Sequence, residues 1–150
     1  MLITISKVEA AQGLLDRALD VYLDQHDSVA TIVLAGAAED LIHGLMKRAG
    51  REHETSRAQL LPAVKALSEH IVPGVPFVED NDVYRMMRSV FNWFRHGDKQ
   101  EPDMLEIDIE REAEIALYRA IENFGQYTGR EAPRTYEFVQ ARRASPVSNE

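Results

Sequence analysis

The chain has 150 residues, 45% hydrophobic and 28% charged, enough for one soluble globular domain to bury a core without staples. It has no cysteine, which excludes disulfides, thiolate metal sites and a cysteine nucleophile. The net charge of −8 works against a general nucleic-acid coat, which needs clustered Lys and Arg to displace counterions, so any RNA contact has to rest on a local basic patch. The N-terminal stretch MLITISKVEAAQG has no basic start followed by an apolar block, and no uninterrupted apolar run approaches the ~18 residues of a membrane span. The expectation is a cytoplasmic protein without membrane contact.

Helical spacing dominates the chain. Ser6 and Glu9 form a capping box, and Val8, Ala11, Leu15, Ala18 and Tyr22 follow at helical steps, predicting a first helix that ends near Asp24. Asp27 and Ser28 start a second helix that runs to about Ala49, with Gly50 as its left-handed stop. Its Ala- and Gly-rich centre, LAGAAEDLIHG, lets a neighbour approach closely and marks it as the central helix. A third helix lies within 56–71, with Pro62 near its start or kinking it. VPGVPFVEDND is punctuated by Pro73, Gly74 and Pro76 and reads as a loop tacked down by Val75, Phe77 and Val78. Asn81 or Asp82 caps a fourth helix that ends at Gly97. A fifth runs from about Glu110 to Tyr127, stopping at Gly129, and Pro133 begins a last short one. The expectation is an all-α bundle of five to six helices forming one domain over 1–144, with residues 145–150 as a frayed tail.

The fourth helix carries the strongest functional signal. Val83, Met87, Val90 and Phe94 make an apolar stripe, widened by Met86 and Phe91, since positions advance by about 100° per residue. The other side reads Arg85, Arg88, Ser89, Asn92, Arg95 and His96, with Lys99 just beyond. Arg88, Asn92 and His96 follow at steps of four and share a face. A solvated surface explains such a run, as basic residues near a helix C-terminus favour its dipole. Trp93, near the polar side, is better used covering a partner or a flanking loop.

Arg88 followed by His96 on a late helix of a small α bundle resembles the HEPN superfamily. Seven residues intervene, a longer interval than is usual there. NWFRHGDKQEPD is also similar to an Asn-aromatic-aromatic-basic-His-small-Asp element of small uncharacterised bacterial helical proteins, and LAGAAEDLIHGLM and YTGREAP sit where that group has similar strings. The resemblance implies an RNA-directed protein, a metal-independent ribonuclease of a toxin or defence system needing no cofactor. Arg88, Asn92 and His96 would be its catalytic residues: His96 exchanging a proton with the 2′-hydroxyl or leaving oxygen, Arg88 holding the phosphate, Asn92 orienting either. Arg85, Arg95, Lys99 and Trp93 would belong to the binding surface. HEPN-like proteins pair through this helix, which implies a homodimer with Trp93 and Arg95 at or beside the interface.

Two other readings stand beside this one. The polar face also suits a non-catalytic helical module that binds a protein partner. Asp40-Leu-Ile-His43 with Glu39 adjacent is half of a di-iron bundle signature, so Glu39, Asp40 and His43 are candidate ligands of a metal or small-ligand site. Against the metal, Glu39 or Asp40 has a ready partner in Arg88 or Arg95 as a polar strut between helices, with His43 a packed histidine at the core edge. REHETSR at 51–57 alternates in charge and reads as a solvated loop, and ARRASP as a basic tail.

Overall fold

The computed structural model describes residues 2–71, 79–96 and 104–144. Residues 72–78 of the expected 72–82 loop, the Gly97 stop, Lys99 and the tail at 145–150 lie outside the described residues; 80–82 of that expected loop are helical. Helix α1 (Lys7–Asp20) begins with the expected box: Ser6 Oγ accepts from the Glu9 amide at 3.2 Å and the Glu9 carboxylate from the Ser6 amide at 2.8 Å. It does not run regularly to Asp24. Its last turn, Val21–Gln25, widens to a π-helix that stops at His26, where φ is +53°. Asp27 then caps α2 (Ser28–Arg48), accepting from the Ala30 amide at 3.0 Å, and Gly50 ends it at φ +72°.

Helix α2 is the central element. Ala11, Leu15, Ala18 and Leu19 of α1 pack on its Ala35, Ala38, Ile42 and Met46, together with Ala116, Leu117, Ala120 and Phe124 of α6 (Ile109–Thr128). By length and composition α2 is apolar enough to cross a membrane, although half of that stretch is buried inside the bundle. Close approach is visible at Gly36: a Cβ there would lie 2.6 Å from Cε2 and 2.7 Å from Cγ of the buried Phe91 ring. The small side chains of α2 therefore seat a ring as well as a helix.

Between α2 and α6 the chain makes a single 3-10 turn (Glu52–Glu54) and then α3 (Ser56–Ile71), with Pro62 inside the helix. Asn123 of α6 reaches across to the start of α3, its Oδ1 accepting from the Ser56 amide at 2.7 Å. The expected single fourth helix is two: α4 (Asp80–Met87) and α5 (Ser89–Arg95), preceded by Glu79 and not capped by Asn81 or Asp82. Arg88 at the break has φ −113° and ψ 6°. No Gly or Pro causes this. The Met87 carbonyl accepts from Arg119 Nη1 at 2.6 Å, and the Arg88 guanidinium is held by Asp40. Long-range ionic ties turn the backbone here. The split makes seven α-helices among the described residues, against five to six expected.

Helix α6 ends at Gly129 (φ +67°) as expected. Helix α7 (Thr135–Ala144) starts after Pro133, past Arg134 at φ +61°. Arg134 binds Asp20, Asp24 and Glu137, and so ties α7 to the π-turn of α1. All regular structure among the described residues is helical, an all-α bundle.

Candidate functional site

Two adjacent carboxylates on α2 organise the site. Glu39 is 1% exposed, and its Oε1 lies 2.6 Å from Arg57 Nε. Its Oε2 lies 3.4 Å from Arg119 Nε. Asp40 Oδ1 accepts from Arg57 Nη2 at 2.7 Å, while Oδ2 faces Arg88 Nη2 and, at 3.4 Å, Arg95 Nη1. Two carboxylates thus meet four guanidiniums, so the cluster keeps an excess of positive charge inside an acidic protein. Burial works against the charge on Arg57, yet Glu39 and Asp40 more than offset it and hold its pKa above the ordinary guanidinium value. Arg88 is less well served: burial, and then the like charge of Arg57, pull its pKa below the ordinary value, with Asp40 offsetting only part.

Two members of this network, Arg57 and Arg88, line a cleft of about 730 Å³ between α2, the start of α3, α4 and α5. His43 and Lys47 enter it from α2, Arg57 from α3, Tyr84 and Arg85 from α4, and Arg88, Ser89 and Asn92 from the break and α5. Glu52 and Asp82 supply negative charge at its margin. His43 Nε2 stands 3.6 Å from Glu52 Oε1, beyond a hydrogen bond, and its Nδ1 is buried without a hydrogen-bond partner, as is Arg88 Nε. Burial first, and Arg57 second, lower the His43 pKa below its ordinary 6.5, against the pull of Glu52, Glu39 and Asp40. The shift favours the neutral imidazole near pH 7.

The expected face is only partly assembled. Arg85, Arg88 and Asn92 share the cleft. His96 is not among the described residues lining it. It follows the end of α5 in extended backbone, its amide donating to the Asn92 carbonyl at 3.1 Å. Arg88 and Asn92 stay one helical turn apart, but α5 ends at Arg95 and leaves His96 at φ −125° and ψ 93°, off the helix face they share. Arg95 lines a different hollow, beside Leu14, Val33 and Leu41, and lies over the Phe91 ring at 5.0 Å. Trp93 is half-buried and meets Phe94 edge-on at 5.3 Å.

Sequence reasoning missed Arg57. The REHETSR segment is solvated only in its first part, where Glu52 and His53 are exposed; Thr55, Ser56 and Arg57 are all buried. A signal existed in Glu39, since a carboxylate inside an Ala/Gly-rich central helix requires a buried cation. The suggested strut between Asp40 and Arg88 is present. For the metal alternative, no three His, Asp or Glu side chains among the described residues are arranged to hold an ion, and Glu39 and Asp40 already face arginines.

Comparison with protein-family models, with curated proteins and with solved structures gives no match to this chain.

Proposed function

We propose that the protein is RNA-directed and HEPN-like, a metal-independent ribonuclease that seats a backbone phosphate in the cleft. The observation that carries this reading is Arg88. It stands half-buried in the cleft wall, anchored through one nitrogen by Asp40, and lines the cleft together with Asn92 and His43. An arriving phosphate would supply the negative charge this guanidinium lacks, and Arg85 and Lys47 line the same opening. In this reading neutral His43 removes the 2′-hydroxyl proton and O2′ attacks phosphorus. The P–O5′ bond breaks, and a water in the cleft gives a proton to the leaving 5′-oxygen, while His43 returns its own proton to solvent. The products are a 2′,3′-cyclic phosphate and a 5′-hydroxyl, with Arg88 stabilising the charge that develops between them.

Incubation of total RNA with the protein in EDTA, beside Arg88→Ala, His43→Gln and His96→Ala, tests this. Cleavage by the wild type with loss in Arg88→Ala and His43→Gln is expected. A second reading, a non-catalytic helical interaction module, is favoured by the strut itself, because Asp40 and Glu39 give Arg88 and Arg57 a structural purpose. Identical RNA traces from all four proteins would establish it. The HEPN-like reading also carries a homodimer through α5, with Trp93 and Arg95 beside the interface. Light scattering showing a mass near the 17.0 kDa of one chain would refute that.

A further inference from the structure

Helix α4 is a thin wall with a cavity on each side. Opposite the cationic cleft lies a groove of about 420 Å³, floored by Leu60 and Val64 of α3, Met87 of α4, and Ile115 and Tyr118 of α6. Met86 and Ser89 line both cavities, forming a low saddle of one flexible thioether and one small hydroxyl. Met86 is 49% exposed and Tyr118 48%, so both are open to a ligand. The polar lining is Arg111, Glu112, Arg119 and Arg142, and Arg111 and Arg142 also meet Glu114 at 3.7 and 3.1 Å.

We propose that this groove is a base-binding subsite, so that single-stranded RNA places a phosphate in the cleft and lays the neighbouring base across the Met86–Ser89 saddle onto Tyr118. The inference rests on the RNA reading above. A cationic cleft joined over two side chains to an apolar, aromatic groove matches a ligand whose anionic group and planar ring are linked at short range. An aliphatic chain would have no use for arginines at the groove's rim, whereas a base edge carries donors and acceptors in the plane of its ring. The strand must be single, because only an unpaired base can leave its stack and lie on a protein ring.

The test uses a short 2′-O-methyl oligonucleotide, which cannot be cut through its 2′-oxygen, and an abasic strand of the same length. Calorimetry on the full chain compares their affinities. The base-bearing strand should bind about tenfold more tightly, as expected for one base stacked on an aromatic ring. Tyr118→Ala, a residue that does not line the cleft, should remove that ratio and leave the abasic affinity unchanged. Equal affinities in the wild type, or a ratio that survives Tyr118→Ala, would overturn the subsite while the phosphate reading stands. Binding of neither strand would sink both.

Discussion

Arg57 and Glu39 form an enclosed ion pair, Nε to Oε1 at 2.6 Å, with side chains 6% and 1% exposed. Such a pair adds little to stability as a unit, but losing one member strands the other charge away from water. Glu39→Ala leaves both Arg57 and Arg119 facing an empty site. Urea unfolding should show a loss of about 3–5 kcal/mol. A loss below ~1 kcal/mol would mean that water reaches the pair and that the burial is illusory.

Gly36 meets the Phe91 ring with no room for a methyl group. In an exposed helix, Gly→Ala would gain up to about 1 kcal/mol. Here the Cβ pushes against a ring that is itself buried, so Gly36→Ala should cost about 1–3 kcal/mol. Adding Phe91→Leu should recover part of the loss. Equal or higher stability of the single variant in thermal unfolding would show that the ring moves aside freely.

His43 makes stability depend on pH. Its folded pKa lies below 6.5, burial being the first cause, while in the unfolded chain it titrates near 6.5. Arg57 and Lys47 face it with positive charge, and Glu52, Glu39 and Asp40 with negative. As pH falls from neutral through 6.5 the unfolded chain binds the proton first, so stability falls, and the loss levels off below the folded pKa. His43→Gln should lose this slope. Unfolding midpoints measured across that range decide it; a wild type and variant with parallel curves would contradict the assignment.

Asn123 is fully buried and is the acceptor for the first amide of α3. Its removal leaves the Ser56 amide without that partner in a dry site. Asn123→Ala should cost about 1–3 kcal/mol and speed amide exchange at Ser56 above that of α1. Unchanged protection at Ser56 would show that another acceptor replaces Asn123.

The regular parts of this fold were legible because their signals are local. The Ser6 box, the Asp27 cap and the Gly50 and Gly129 stops each depend on a few neighbouring residues, and each is present. The break at Arg88 was not legible, because its cause lies in Asp40 and Arg119, far along the chain. Nor was the end of α5 at Arg95, which puts His96 in extended backbone, so that Arg85, Arg88 and Asn92 share the cleft with His43 and not with His96. Arg57 was hidden for a related reason: alternating charge describes both a wet loop and a segment whose cation is drawn inward, and only the partner distinguishes them.

The packing of α2 between α1 and α6 has a consequence for synthesis. On a ribosome α1 and α2 emerge before α6 and can pair, but Leu117 and Phe124, which close the other side of α2, follow only after α3, α4 and α5 have been made. During that interval Arg57 can already neutralise Glu39, while the apolar flank of α2 stays uncovered. A nascent chain stalled before α6 should therefore be cut readily by protease and held by chaperones, and release of α6 from the exit tunnel should abolish both.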